Sequence, residues 1–384
     1  MFSVFEASDV FNQIHGRFFD QDIKSLQAKL QMHVQEVSEN IKKANNIKDD
    51  WTFDLENSDI QNVLVYGRIY SGYQEDNPTE HFDISNAFLH FTSDFNLDYI
   101  QIIVQNNDIC PGLFKGQIVV VRGTINNGCL LPVNVYTDSR CEIPNKFNDD
   151  LQCKVVVAAG PYFTDNLEKV VELNSKIKSY KPDLIILLGP FVTSDSSLLM
   201  KQDCQYTAVE LTQKVIDLLI DGCENKLILI PSIDDAIALP VLPHPAISQY
   251  KGKGNVYGDP AFIKLKDQVE ILATAYDIPF AINQNYDGDR TLRRINVARQ
   301  IAHQNSACPA MTPDVQIQYL SSLVPKVTPN IILTGTRLFS LHETFEGTNV
   351  IYVLQYIRSG ILTVIDINGN EVKSTFTSEF NIDI

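Results

Sequence analysis

Four short motifs end apolar segments in the second half of the chain, where side chains could do chemistry. In layered α/β sheets, functional sites gather at the carboxyl ends of strands. These ends read Gly160-Pro161-Tyr162, Gly189-Pro190-Phe191, Pro231-Ser232-Ile233-Asp234 and Gly335-Thr336-Arg337-Leu338. They offer hydroxyl groups and one arginine but a single carboxylate, and none of the seven histidines falls in them. Two metal ions would need several carboxylate or imidazole ligands, so the motifs predict no hydrolytic metal centre.

A second chemical feature is the basic segment DRTLRRINVARQI at residues 289–301. Its spacing predicts a helix whose inward face is formed by Leu292, Ile295, Val297, Ala298 and Ile301. On that helix Arg290, Arg293 and Arg294 lie on one exposed side. The planar fork of arginine suits carboxylate and phosphate, so the three are candidate contacts for an acidic partner segment or for DNA. The interpretation that we favour from the sequence alone is a solvated face, or pairing of these arginines with nearby acids such as Asp287 and Asp289.

Other signatures of catalysis are absent from the sequence. It has no G-x-S-x-G elbow and no Walker lysine motif, and its seven cysteines include no C-x-x-C pair. No cofactor is therefore expected. Scattered cysteines in odd number predict reduced thiols, as in the cytosol or nucleus.

Composition limits the class of protein. With 384 residues, of which 44% are hydrophobic, the chain can build two or three packed domains, which excludes a disordered protein. The net charge is 31 − 47 = −16, which argues against broad coating of nucleic acid. No apolar stretch reaches the ~18–20 residues that span a bilayer, so no membrane partner is expected.

The first half of the chain predicts a helix followed by a barrel. Apolar side chains at steps of three and four over residues 20–44 predict a helix that packs on the protein's own body, with a coiled coil as the alternative. Five β-rich runs over residues 60–137 predict a five-stranded OB-fold barrel. This region holds three basic residues (Arg68, Lys115 and Arg122) against seven acidic ones. We therefore interpret its aromatic residues (Tyr66, Tyr70, Phe82 and Phe91) as core, and a single-strand DNA-binding barrel is the less favoured alternative.

After a polar linker at 138–150, apolar strands alternate with helices. Runs at 153–159, 183–188 and 227–230 are nearly continuous in apolar residues, with helices predicted at 167–180 and around 206–220. Three further strands are predicted at 329–334, 349–357 and 360–367. Strands of this kind, joined by helices, predict a sheet that is covered on both faces.

Several segments together carry a family resemblance. They are LFKGQIVVVRG (113–123), VVVAAGPY (155–162) with Thr164 and Asp165, KPDLIILLGPF (181–191), LIPSIDD (229–235), PVLPHP (240–245) and VTPNIIL (327–333) with Arg337 and Phe339. This set resembles the B subunits of replicative DNA polymerases and is most similar to that of polymerase alpha–primase. In these subunits an OB-fold barrel accompanies a calcineurin-like phosphoesterase domain.

The resemblance also explains the four strand ends. In calcineurin-like metallophosphoesterases the ends carry D-x-H, G-D-x-x-D, G-N-H-D/E and G-H-x-H, which hold two metal ions that activate water. Here residues that are not such ligands stand at most of these positions: Gly160, Tyr162, Pro190, Thr193, Ile233, Thr336 and Leu338, whereas Gly189, Asp234 and Gly335 are retained. The resemblance thus implies a degenerate phosphoesterase site.

The resemblance implies the following expectations. The fold is α/β plus all-β, with a helical arm at 1–50, an OB-fold at 55–140 and an inactive phosphoesterase-like sandwich at 150–384. The function is that of a non-catalytic scaffold in the nucleus, which binds the zinc-binding C-terminal domain of the catalytic subunit of polymerase alpha and supports primer synthesis with primase. DNA is contacted mainly indirectly, through the complex. The alternatives are the B subunit of polymerase delta or epsilon, and an active metallophosphoesterase.

Overall fold

The computed structural model describes residues 2–6, 23–52, 59–71, 82, 84–93, 96–104, 112–140, 142–163, 165–202, 204–247, 250, 255–284, 286–287, 292–310, 316–317 and 323–377. The chain forms two compact units, and each is made of segments that are distant in sequence. The sandwich unit comprises Met1–Phe18, Pro144–Asp277 and Val315–Ile384. The barrel unit comprises Phe19–Ile143 and Ile278–Asp314.

The elements of both units are numbered here in chain order. The strands are β1 (Phe2–Glu6), β2 (Asp59–Ser71), β3 (Ala87–Ser93), β4 (Asn96–Ile102), β5 (Leu113–Phe114), β6 (Ile118–Asn126), β7 (Cys129–Tyr136), β8 (Gln152–Ala159), β9 (Leu184–Leu188), β10 (Leu227–Ile230), β11 (Val241–Leu242), β12 (Asn255–Val256), β13 (Ala261–Leu265), β14 (Val269–Thr274), β15 (Tyr286–Asp287), β16 (Gln316–Ile317), β17 (Ile331–Thr336), β18 (Leu341–Phe345), β19 (Thr348–Leu354), β20 (Leu362–Asn368) and β21 (Glu371–Thr377). The helices are α1 (Ile23–Ala44), α2 (Glu168–Ser179), α3 (Ala208–Ile220), α4 (Ile278–Gln284), α5 (Arg293–Gln304) and α6 (Tyr356–Ser359). Within the described ranges, no helix is long and apolar enough to cross a membrane.

Five strands of the barrel unit close into a barrel in the order β2-β3-β4-β7-β6. Only β4 and β7 pair in parallel; the other neighbouring strands are antiparallel. Because side chains alternate along a strand, Val63, Val65 and Ile69 of β2 point into the barrel core. The closed five-stranded barrel is the one that the OB-fold prediction requires, so that prediction is confirmed.

Helix α1 packs on the outside of this barrel. Its buried Val34, Val37 and Ile41 share a cluster with Leu64 of β2 and Val120 of β6. The helix therefore packs on the protein's own body, as its apolar spacing predicted.

The interpretation of the barrel aromatic residues as core is only partly right. Phe82 is buried in the interior cluster, and Tyr66 packs at the outer surface against Trp51, with ring centroids 4.7 Å apart. Tyr70 is on the outer side of β2, because its neighbour Ile69 points inward. The side chain of Phe91 lies outside the described residues.

Helix α5 completes the barrel unit through polar contacts. Gln117 is fully buried, and its amide donates to Oε1 of Gln300 at 2.8 Å. The side-chain amide of Gln304 donates to the carbonyl oxygens of Thr137 at 2.7 Å and Ile118 at 3.2 Å. Buried amides therefore satisfy backbone groups of the barrel, as buried polar groups must.

The sandwich unit contains two six-stranded sheets that pack face to face. The first has the order β1-β13-β14-β17-β19-β18, and the second has the order β12-β10-β9-β8-β20-β21. Val155 and Ile186 of the second sheet share one core cluster with Ile271 and Leu333 of the first. The other face of the second sheet is covered by α2 and α3. This is the predicted mixed α/β sandwich with strands of continuous apolar character.

The boundaries of the units differ from the predicted domain boundaries in two places. Residues 1–50 were expected to form a helical arm, but Phe2–Glu6 is a strand that pairs with Ala261–Leu265 in the first sheet. Residues 150–384 were expected to form one domain, but 278–314 belong to the barrel unit. Both differences arise from pairings between segments far apart in the chain, which local sequence patterns do not encode.

Candidate functional site

A shallow cleft, with room for about 10 Å³ of enclosed volume, lies at the carboxyl ends of the central strands of the sandwich unit. Six of the predicted strand-end positions line it together: Gly160, Gly189, Pro190, Asp234, Gly335 and Thr336. Asp277 and Arg337 complete its polar lining. The structure brings these six positions together, because strands that run in the same direction end at one edge of a sheet.

The first strand end closes the cleft floor instead of offering a ligand. A Cβ added at Gly160 would collide with the carbonyl oxygen of Pro190, so no side chain fits there. Tyr162 turns away from solvent, and its hydroxyl lies 2.7 Å from the carbonyl oxygen of Ala158 and 2.9 Å from that of Leu188. Burial, followed by the nearby charge of Asp235, raises the pKa of Tyr162 well above its ordinary value. The Tyr162 hydroxyl thus links the ends of β8 and β9 through hydrogen bonding to their carbonyl groups.

The second and third strand ends are joined by a buried carboxylate, Asp235. Its oxygens accept hydrogen bonds from the backbone N–H groups of Phe191, Val192 and Ser232. Burial raises the pKa of Asp235 to about 7, although the three donors act in the opposite direction. A Cβ at Gly189 would lie 2.6 Å from the backbone nitrogen of Ser232, so the two loops meet closely here. The geometry makes Asp235 a structural clamp between β9 and β10.

At the fourth strand end a guanidinium lies between two carboxylates. Asp277 accepts from the backbone N–H of Arg337 at 2.9 Å and from its Nε at 3.2 Å. A terminal nitrogen of Arg337 lies 4.0 Å from a carboxylate oxygen of Asp234. Because Arg337 and Asp234 are both partly exposed, water screens this attraction and its energy is small. The cleft thus has a fixed cation of its own beside its two acids.

The remaining predicted positions lie around the cleft and not in its lining. Thr193 forms an isolated backbone bridge with Asp235, and Ile233 is half-buried. Leu338 is half-buried, and its backbone N–H donates to the Thr336 hydroxyl at 3.2 Å. Thr164, named for the family resemblance, lies outside the described residues. Among the residues that the structure does describe, no three His, Cys, Asp or Glu side chains are close enough to hold a metal ion.

The predicted arginine face on α5 needs correction. Arg290 lies outside the described residues. Arg293 is half-buried: it donates to the carbonyl oxygen of Asn283 and lies over the Tyr286 ring, 5.7 Å from its centroid. Arg294 is exposed. Arg293 and Arg294 therefore do not share one exposed side.

The inward face that was predicted for α5 is also partly wrong. Leu292 is 50% exposed and Ile295 is 37% exposed. The helix instead buries Gln300 and Gln304 beside Ile301, since polar backbone groups of the barrel face it.

Three buried or half-buried acids were missed by sequence reasoning. The buried clamp is Asp235, one residue after the predicted Asp234. Sequence spacing alone does not show which of these two aspartates is buried and accepts the backbone hydrogen bonds. Asp277 follows β14, and the apolar run VEILATAYD that it ends was a usable signal. Asp259 accepts from the backbone N–H groups of Ala275 and Tyr276, and burial raises its pKa to about 7. No local sequence signal marks that contact.

A comparison with known proteins shows what the part of the chain around the cleft is similar to. Residues 155–342 match the family of the B subunits of DNA polymerases alpha and epsilon. The matched segment contains the whole cleft except Gln355, so the predicted resemblance is confirmed for the part of the chain that carries the strand ends.

Relatives from three animals are named as the B subunit of DNA polymerase alpha. The Drosophila melanogaster protein is 28% identical over 58% of this chain and 38% of its own length. The Caenorhabditis elegans protein is 27% identical over 74% of this chain and 52% of its own length. The Rattus norvegicus protein is 25% identical over 59% of this chain and 42% of its own. The chain thus spans about half or less of the length of these relatives.

Among solved structures, similarity is found to phosphoesterase-type proteins. A predicted phosphoesterase of Streptococcus pneumoniae TIGR4 is 12% identical, with a TM-score of 0.30, over 59% of this chain and 90% of that one. An archaeal phosphodiesterase is 12% identical, with a TM-score of 0.32, over 58% of this chain and 99% of that one.

Proposed function

We propose that this chain is a non-catalytic accessory subunit of a DNA polymerase alpha complex. The observation that carries the proposal is the set of contacts that occupy the strand ends around the cleft. These strand ends lie in a segment that matches the B-subunit family. At the first ligand position the space for a side chain is filled by the Pro190 carbonyl. At the last strand end a guanidinium, not an imidazole, faces the acids. These contacts support a rigid scaffold, and among the residues with described positions no ligand set for two metal ions is found.

The proposed partner is the zinc-binding C-terminal domain of the catalytic subunit, and primase joins the same assembly in the nucleus. DNA is held mainly through the complex. The names of the three relatives favour the alpha complex over those of delta and epsilon.

The exposed side of α5 is the surface that we propose for this partner. Leu292 and Ile295 expose apolar area beside the exposed Arg294. Apolar residues flanked by arginine are typical of protein interfaces. Arg293 is not needed for this contact, because its side chain is engaged by Asn283 and Tyr286.

Co-expression with the C-terminal domain of the catalytic subunit tests the proposal. The two chains should elute together in size-exclusion chromatography at micromolar concentration. The substitution Ile295→Asp should weaken co-elution, whereas Val133→Asp on β7, where the side chain is 56% exposed to solvent, should not. Separate elution of the wild-type chains would remove the main support for a scaffold.

Metal content and phosphoesterase activity test the non-catalytic part separately. Purified protein should hold no stoichiometric Mn, Fe or Zn and should not hydrolyse phosphodiesters. Two metal equivalents with turnover that survives repurification would favour the active metallophosphoesterase instead.

A further inference from the structure

Three aromatic rings lie together on the outer surface of the barrel. They belong to Tyr70 of β2, His90 of β3 and Tyr99 of β4, and we call them the aromatic platform. His90 and Tyr99 are stacked, with centroids 4.6 Å apart and an interplanar angle of 13°. Tyr70 lies 5.8 Å from Tyr99 and 6.4 Å from His90.

Strand alternation places the platform outside the barrel core. Ile69, Leu89 and Ile100 precede or follow the three rings in sequence and point into the interior cluster. The rings must then point outward, since successive side chains alternate across a strand. Tyr99 is 50% exposed, an unusual position for a large ring that serves only packing.

Two cations accompany the rings. Arg68 pairs with His90 in the strand register; burial lowers the pKa of its guanidinium, and the nearby Tyr70 and Tyr99 act in the opposite direction. Lys115 lies over the Tyr70 ring, with Nζ 5.6 Å from the centroid. Within the described part of the chain, no carboxylate forms an ion pair with either cation.

The surroundings of the His90 imidazole favour its neutral form. Burial lowers the pKa of His90, and the charge of Arg68 lowers it further. A neutral His90 ring stacks on Tyr99 without adding a third charge. The platform is therefore a stacked His90–Tyr99 pair with the Tyr70 ring inclined by 61° to His90 and 59° to Tyr99, and positive charge lies along one part of it.

We propose that the aromatic platform binds single-stranded nucleic acid, with bases stacked on Tyr99 and Tyr70 and phosphates held by Arg68 and Lys115. Stacking rings beside cations are what sequence-tolerant single-strand binding requires. A duplex keeps its bases inside and cannot use the rings. An acidic peptide could pair with the cations but has no base to stack on an exposed Tyr99. The contact is direct and local, so it does not depend on the negative net charge of the whole chain or on the proposed complex.

The experiment uses the full chain and a fluorescein-labelled oligothymidylate, followed by fluorescence anisotropy at low salt. Tyr99→Ala should weaken binding about tenfold, within the range measured for loss of one stacked base. Tyr99→Phe should bind like the wild type, because it keeps the ring. A role for the hydroxyl and not for the ring would weaken both variants equally, because both lack the hydroxyl. Circular dichroism of each variant shows whether it is folded.

A charge variant and its matched control complete the test. Arg68→Gln should weaken binding and reduce the slope of log K against log salt by about 0.7. Arg122→Gln removes an arginine from the same barrel, but one that pairs with Asp49, and should leave binding unchanged. The proposal is overturned if no oligothymidylate binds at low salt, or if Tyr99→Ala and Tyr99→Phe bind equally. It is also overturned if a labelled oligoglutamate binds more tightly than the oligonucleotide and depends on the same two residues.

Discussion

The buried clamp Asp235 can be tested against its exposed neighbour Asp234. Asp235→Ala removes the acceptor for three backbone N–H groups, those of Phe191, Val192 and Ser232. A buried donor without a partner costs at least about 1 kcal/mol, so the folded state should lose ~3 kcal/mol. With an m-value of about 3 kcal/mol/M, the urea midpoint of the sandwich unit should fall by roughly 1 M.

The assay is urea denaturation followed by far-UV circular dichroism. Asp234→Ala is the matched control, because this side chain is 60% exposed and its contact with Arg337 is long; its midpoint should move by less than about 0.2 M. The tryptophan at position 51 lies in the barrel unit, so its fluorescence follows the other unit in the same titration. Equal midpoints for the two alanine variants would refute the clamp.

The pH dependence gives the same prediction a second check. The pKa of Asp235 is raised from 3.8 to about 7 by burial, so the folded carboxyl keeps its proton while the unfolded one loses it. Its stabilising contribution is complete below about pH 4 and is lost as the pH rises through 7. The damage done by Asp235→Ala should therefore be smaller at pH 8 than at pH 4. A larger loss at the higher pH would contradict the assigned shift.

Three further outcomes are expected. Gly160→Ala should destabilise the sandwich unit by ~2 kcal/mol, because the added Cβ would collide with the backbone of Pro190. Gly335→Ala is the control: the nearest atoms to its added Cβ lie at 3.5 Å, so stability should change by less than about 0.5 kcal/mol. Thermal denaturation of both variants compares the two effects. Burial lowers the pKa of His33 to about 4, so stability is lost as the pH falls from 6.5 toward 4. His33→Leu should remove about 2 kcal/mol of this loss at about pH 5, measured by Trp51 fluorescence in urea. Thr207→Ala breaks the capping box of α3 and should cost about 1 kcal/mol in a urea titration.

Local patterns predicted the elements whose burial is apolar and regular. The apolar spacing over 20–44 predicted α1, found at Ile23–Ala44, because one face of it contacts an apolar barrel wall. The continuous apolar runs predicted β8, β9 and β10, since both faces of that sheet are covered.

Elements that depend on distant or polar partners were not predicted. The strand at Phe2–Glu6 exists through its pairing with β13, more than 250 residues away. The inward face of α5 was predicted only in part, because the helix also buries the amides of Gln300 and Gln304 against polar groups of the barrel, and hydrophobic periodicity does not predict polar burial. In the cleft, the strand ends were predictable but the clamp was not: Asp234 and Asp235 differ only in which backbone amides each one reaches.

The dependence of the barrel on α5 also bears on the order in which the chain can fold during synthesis. Gln117 and its partner Gln300 are 183 positions apart. When the last barrel strand leaves the ribosome, the amide of Gln117 and the carbonyl of Ile118 still lack the partners that bury them. At ~5–20 residues per second, some ten to thirty seconds pass before α5 emerges. During that interval the nascent barrel lacks these hydrogen-bond partners and is accessible to chaperones. The first strands of the second sheet of the sandwich unit are synthesised in the same interval.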